Sequence, residues 1–209
     1  MGPRALLVAV AIVVAAVPVA SGHERPVRRQ VLLSVEAGRT DLLVTYDVRP
    51  GQLADRLRDS IDLNRDGAAN SGWERLAQAQ VLLPRVRRGI RLDVGGRPVE
   101  LAVSDFRFRN GLREGRRRGL TGMVRYCLPA GWTDDEQAIT VGLRDPDQSI
   151  SVEMQAADGI EVIDAPTVVR ADDPVVGPVV LGHAERATFR VRRSDRAGPP
   201  AGCPARGRR

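Results

Sequence analysis

The chain has 209 residues, a formal net charge of +6 and only 3% aromatic residues. All 32 basic residues are arginine, a uniformity that indicates the compositional bias of a GC-rich bacterial genome rather than a site. Residues 23–191 hold 25 arginines and 25 acidic residues, so the excess positive charge comes from residues 192–209, with six arginines and one aspartate, and from Arg4. A specific nucleic-acid-binding protein is not expected, because the body is neutral and its arginine runs lack interleaved aromatic side chains that stack on bases.

The N-terminus predicts a cleaved secretory signal peptide over residues 1–22. Arg4 precedes an apolar run from Ala5 to Ala16, and small residues follow at positions 20–22. The run is too short to be preferred as a membrane span, and no later segment approaches the roughly 18 apolar residues that a spanning helix needs. We therefore expect a secreted or periplasmic protein with no transmembrane segment after cleavage.

Alternating apolar residues predict that most of the chain is β-structure. Residues 31–35 and 42–46 predict one antiparallel hairpin, and residues 90–94 and 99–103 predict a second, which Phe106 and Phe108 extend. Many short strands with turn signals between them favour an antiparallel β-sandwich, which we expect to form one domain over residues 23–191. Further strands are predicted at residues 122–128, 138–143, 149–154, 159–163 and 187–191.

A pair of helices is predicted to interrupt the strands over residues 53–82. Leu53, Leu57 and Ile61 recur at every fourth position, which is typical of an amphipathic helix. After a loop, Asn70 or Ser71 can cap a second helix, which Pro84 is expected to limit. The apolar side of this second helix is predicted to consist of Trp73, Leu76, Ala77 and Val81.

The loop between the helices carries the first half of an EF-hand calcium pattern. An EF-hand takes oxygen ligands from loop positions 1, 3, 5, 7 and 9, with glycine at 6 and a bidentate Glu at 12. Position 6 is Gly67, position 12 is Trp73, and the nearest carboxylate arrives one residue later. Asn, Asp and Gly also favour an ordinary polar turn without metal, and this alternative stays open. The candidate calcium ligands are Asp62, Asn64, Asp66, the carbonyl of Ala68, Asn70 and Glu74.

No catalytic constellation is recognisable, and a protein that is not an enzyme is expected. The chain has two histidines and no Cys-x-x-Cys or His-Glu-x-x-His spacing. One alternative involves copper. Cleavage after Gly22 would make His23 the first residue, and its amine and imidazole together with His183 would resemble the histidine brace of copper-dependent polysaccharide oxygenases. Cleavage after Ser21 would exclude this site.

Two further features concern the C-terminal part of the chain. Cys127 and Cys203 permit one disulfide in an oxidising compartment, although their spacing does not establish it. The arginine-rich segment 192–209 is expected to be flexible. It either docks on an anionic envelope polymer or an envelope protein, or it is simply solvated.

The order of the elements resembles the extracytoplasmic region of bacterial HupE/UreJ-type membrane proteins, which are nickel-permease-like hydrogenase and urease accessory proteins. The resemblance covers residues 23–165: a histidine near the mature end, a hairpin, a helix-loop-helix bearing Asp62-Leu63-Asn64-Arg65-Asp66-Gly67, and a hairpin over 90–101. It implies a β-rich envelope domain with an EF-hand-like insertion, connected with metal handling. The membrane helices of that family are not seen in this chain, so a transport role is not carried over.

Overall fold

The structure is a computed structural model, and it describes residues 26–67, 71–109, 119–129, 135–166, 175–194 and 203. Two helices, α1 (Gln52–Asp59) and α2 (Gly72–Arg87), follow the first two strands. The strands are β1 (Val27–Glu36), β2 (Arg39–Val48), β3 (Ile90–Val94), β4 (Arg97–Pro98), β5 (Val103–Arg109), β6 (Leu120–Pro129), β7 (Glu136–Leu143), β8 (Ile150–Ala156), β9 (Ile160–Asp164), β10 (Val175–Leu181) and β11 (Arg186–Arg193).

The strands form two sheets around a shared apolar core. One sheet has the order β10-β8-β1-β2-β6-β5 and the other has the order β4-β3-β7-β11-β9. All pairs are antiparallel except β1 with β8, which run parallel. The prediction of a mainly β sandwich with an inserted pair of helices is confirmed.

Side-chain alternation explains why these segments become strands. Val31, Leu33 and Val35 of β1 are buried, while the residues between them are partly exposed. Phe189 and Val191 of β11 are buried in the same way, between exposed neighbours. Because successive strand side chains point to opposite faces, β1 and β11 each have one face in the core and one towards solvent.

The predicted second hairpin is only partly present. β3 pairs with β4 over Asp93↔Pro98 and Val94↔Arg97, and the chain then leaves this sheet. Residues from Val103 onward form β5, which pairs with β6 at the edge of the other sheet. Sequence alternation shows that a segment is a strand, but it does not identify the sheet that the strand joins.

The helices depart from the sequence prediction in two respects. α2 continues through Pro84 to Arg87 instead of ending before the proline. The predicted apolar side of α2 is only partly right. Val81 packs against the core as predicted, but Trp73 and Leu76 are exposed, and the buried residues include Leu82 and Val86 instead. α2 packs against β2 and β6, and these contacts determine which of its faces is covered.

The two cysteines form a disulfide between β6 and the C-terminal segment. Cys127 and Cys203 have Cα atoms 5.7 Å apart and are bonded through their sulfur atoms.

β11 continues through Arg193, so Arg192 and Arg193 of the segment that was predicted to be flexible belong to the sheet. Arg192 is also paired with Glu136 of β7, at 2.6 Å between Nη2 and Oε1. Apart from Cys203, residues 195–209 lie outside the described residues.

Candidate metal centre

The ends of the two helices position the candidate loop. α1 ends at Asp59, and the chain then turns so that the amides of Ile61 and Asp62 both donate to the carbonyl of Arg58. Ile61 is fully buried, which fixes the start of the loop against the core. Asp62 therefore enters the loop from an anchored position next to the C-terminal end of α1.

A capping box begins α2 and holds Glu74. The Ser71 hydroxyl accepts the Glu74 N–H at 3.1 Å, and Glu74 Oε2 accepts the Ser71 N–H at 3.0 Å. This reciprocal pair satisfies backbone donors that would otherwise lack a partner at the helix start. Ser71 was not among the predicted site residues. Its Ser-x-x-Glu spacing with Glu74 is the signal in the sequence that predicts this box.

Hydrogen bonds to carboxylate and amide oxygens curl the loop. Asp62 accepts the Asp66 N–H at Oδ1 (3.1 Å) and the Gly67 N–H at Oδ2 (3.0 Å). Asn64 Oδ1 accepts the same Asp66 N–H at 2.9 Å, and Asn64 Nδ2 donates to Asp66 Oδ2 at 3.0 Å. Arg65 and Gly67 have φ of 59° and 77°, and these left-handed residues allow the sharp turn. A carboxylate oxygen that accepts one N–H keeps a second lone pair for another partner.

Three carboxylates converge at this loop. Asp62, Asp66 and Glu74 each offer an oxygen, and these atoms lie within 4.8 Å of one another. Glu74 is 1% exposed, Asp62 is half-buried and Asp66 is exposed. Glu74, one residue beyond loop position 12, thus reaches the same point as the aspartates at positions 1 and 5. The sequence spacing alone left this convergence undecided.

The electrostatics of the cluster favour a cation. Two unit charges at this separation repel by about 1 kcal/mol even in bulk water, and by more near a protein surface. The C-terminal end of α1 adds the negative end of a helix dipole close to Asp62. Oxygen atoms from carboxylates are the ligands that calcium prefers, and a calcium ion would replace the mutual repulsion with attraction.

No protein-family model matches the chain, and no curated protein matches it. The resemblance to HupE/UreJ-type proteins therefore stays a prediction. Within the described ranges, neither helix is both long and apolar enough to cross a membrane.

Of the remaining predicted calcium and copper ligands, only Asn64 and His183 lie among the described residues. Asn64 is hydrogen-bonded within the loop, as given above, while Ala68 and Asn70 lie outside the described residues. For the copper alternative, His23 also lies outside them. His183 is exposed in the turn between β10 and β11.

Apart from the carboxylate cluster, a groove lies on the outer face of the six-stranded sheet. It has a volume of about 380 Å³, with Leu32, Leu43 and Met123 among its lining residues. Asp41 also lines it and is paired with Arg39 (Nε to Oδ2, 3.2 Å) and with Arg125. The hydrogen bond to Asp41 raises the pKa of Arg125. The charges in this groove pair with each other, so the stronger candidate for a metal ion is the helix-loop-helix.

Proposed function

We propose that this protein is a calcium-binding β-sandwich domain of the bacterial envelope with a structural or interaction role and no catalytic activity. The observation that carries the proposal is the convergence of Asp62, Asp66 and Glu74 within 4.8 Å on a loop of EF-hand spacing. Calcium would join the end of α1 to the start of α2, and the buried Glu74 would close the site in place of a position-12 Glu. A link with metal handling follows from the family resemblance.

An open, incomplete loop suits an extracytoplasmic compartment. Extracellular calcium modules work with dissociation constants of roughly 10⁻⁴ to 10⁻³ M, because the ion is abundant there. A calcium concentration a hundredfold above the dissociation constant would stabilise the domain by about 2.7 kcal/mol. In a chain of this size that corresponds to a rise in melting temperature of roughly 5–10 °C.

Two measurements on the mature protein test this proposal. Calorimetric titration should give one calcium site, and the melting temperature should fall when a chelator is added. Terbium, a hard cation that replaces calcium, should luminesce on excitation of tryptophan, because Trp73 directly precedes Glu74. Trp73→Phe should remove that luminescence and leave the calorimetric binding intact.

The matched variants are Asp62→Asn and Asp66→Asn, which keep side-chain size and remove one charge each. Each should lower calcium affinity by at least about tenfold, because a charge-assisted oxygen ligand is replaced by a neutral one. Asp59→Asn removes an exposed charge of α1 outside the cluster and should change affinity little. Absence of binding heat and of any melting shift in the wild-type protein would leave the loop as a polar turn.

A further inference from the structure

Three large apolar side chains next to the candidate calcium ligands in sequence are exposed. Leu63 is 58% exposed, Trp73 is 76% exposed and Leu76 is 47% exposed, and we call these three residues the apolar rim. Leu63 follows Asp62 in sequence, and Trp73 precedes Glu74. Trp73 and Leu76 are three positions apart on α2, so they lie on the same side of the helix. Exposed large apolar side chains in a group indicate an interaction surface.

The charges around the apolar rim identify the chemistry of its partner. Arg65 lies two residues after Leu63, Arg75 lies between Trp73 and Leu76, and both arginines are exposed. Residues 52–87 contain six arginines and five acidic residues, so bound calcium would raise their formal charge by two from an already positive value. The surface would then combine tryptophan, leucine and positive charge, which is the composition of segments that lie at an anionic bilayer interface.

We propose that the apolar rim docks this protein on an anionic lipid bilayer and that calcium strengthens the docking. This inference rests on the proposed calcium site. Trp73 would take the interfacial position that tryptophan prefers, Leu63 and Leu76 would enter the acyl boundary, and Arg65 and Arg75 would contact lipid phosphates. Bound calcium would offset the negative charge of Asp62 and Asp66, which otherwise opposes the attraction between the nearby arginines and the lipid phosphates.

Sedimentation with vesicles tests the proposal. The probe is the full mature chain with vesicles of equal parts phosphatidylglycerol and phosphatidylcholine, compared with pure phosphatidylcholine. Partitioning onto the anionic vesicles should be on the order of tenfold stronger with calcium than with chelator. The double variant Trp73→Ala/Leu76→Ala should lose that binding by a similar factor while its calorimetric calcium binding persists. Val180→Ala is the matched control, because Val180 is 67% exposed on β10, outside the helix-loop-helix.

The arms of this experiment separate the two proposals. Undiminished, calcium-dependent vesicle binding by the double variant would overturn the role of the apolar rim, whether or not the calcium site exists. Absence of calorimetric calcium binding in the wild type would overturn the proposed function and, with it, the calcium dependence of vesicle binding. Binding that survives chelator but is lost when residues 204–209 are deleted would assign docking to the C-terminal arginines instead. Concentration-dependent self-association that the double variant abolishes would identify a second copy as the partner and overturn the lipid assignment.

Discussion

Arg29 Nη2 lies 3.1 Å from Asp145 Oδ2, and both side chains are almost completely buried, at 1% and 2% exposure. Arg29 belongs to β1 in the six-stranded sheet, whereas Asp145 follows β7 in the other sheet. Arg29 also donates to the carbonyl of Arg88, which directly follows α2. Gly89 then has φ of 72°, and a Cβ there would lie 2.7 Å from the Asp145 amide nitrogen. The buried ion pair thus connects both sheets and the end of the helical insertion.

Asp145→Ala is predicted to destabilise the protein by about 3–5 kcal/mol, because it leaves the Arg29 guanidinium buried without its counter-charge. Burial already lowers the pKa of Arg29, and the Asp145 charge opposes that effect. The double variant Arg29→Met/Asp145→Leu should lose much less, because no buried charge is left. Urea unfolding monitored by circular dichroism measures both values. Equal losses in the single and the double variant would contradict this explanation.

Alkaline unfolding is predicted to depend on Tyr126. Its side chain is fully buried, burial raises its pKa to about 12, and its hydroxyl has no hydrogen-bond partner among the described residues. An unfolded tyrosine ionises near pH 10, so between pH 10 and 12 the unfolded state binds fewer protons than the folded state. The free energy of unfolding should therefore fall across this window by up to about 1.4 kcal/mol per pH unit for this residue.

Tyr126→Phe isolates that contribution. The chain has no lysine, two tyrosines and no free cysteine, so few other groups titrate in the same window. Burial also raises the pKa of Tyr46, so part of the pH dependence should remain in the variant and disappear in Tyr46→Phe/Tyr126→Phe. At neutral pH, Tyr126→Phe should be neutral or slightly stabilising, because the hydroxyl is buried without a hydrogen bond. A single-variant profile identical to that of the wild type would refute the assignment.

Removal of the disulfide is predicted to lower stability substantially. Cys127 and Cys203 are 76 positions apart, and closing a loop of that length restricts the unfolded chain by an amount equivalent to about 4 kcal/mol. Cys127→Ser/Cys203→Ser should melt at a lower temperature than the oxidised wild type and should be insensitive to reducing agent. The reduced wild type should then resemble the variant. A melting temperature that does not respond to reduction would show that the bridge contributes little.

The sequence predicts more of the fold than of the candidate site. Alternating residues such as Val31, Leu33 and Val35 indicated strands because one face of each strand is buried. β10 was not predicted, since its Gly177-Pro178 pair argues against a strand, yet it forms the edge of a sheet, where proline is tolerated. The exposure of Trp73 could not be predicted, because α2 has apolar residues on more than one side and its tertiary packing selects the buried face.

Within the site, the loop residues could be predicted from the sequence, but the position of Glu74 could not. Asp62, Asn64, Asp66 and Gly67 lie within six positions, and their spacing alone predicts a tight, oxygen-lined loop. The approach of Glu74 depends on the orientation of α2, and the capping box with Ser71 determines where its carboxylate lies. Tertiary packing thus decides whether the incomplete loop acquires a third carboxylate.

Glu74→Gln is predicted to lower calcium affinity while leaving α2 intact. Glutamine at this position can still accept the Ser71 N–H, so the capping box persists and only the charge is lost. Ser71→Ala should cost about 1 kcal/mol of stability and also weaken calcium binding, because Glu74 loses its positioning contact, whereas Ser71→Thr should restore both. Calorimetric titration and thermal melting separate the two effects. Unchanged affinity in Glu74→Gln would mean that Glu74 is not a ligand and that water completes the site.

Arg65 is predicted to limit calcium affinity through its charge. It lies between the candidate ligands Asn64 and Asp66, has φ of 59° and is exposed. A cation at the carboxylate cluster would be repelled by the guanidinium, so Arg65→Asn should raise affinity on the order of two- to fivefold at low salt, and less at high salt. Asparagine tolerates the left-handed conformation, which keeps the loop geometry. Arg65→Gly removes the charge and the backbone strain together, and Arg65→Lys retains both. A rise in calcium affinity in both the Asn and Gly variants, but not in the Lys variant, would assign the effect to charge. A rise in Arg65→Gly alone would assign it to the strained backbone and would contradict the prediction.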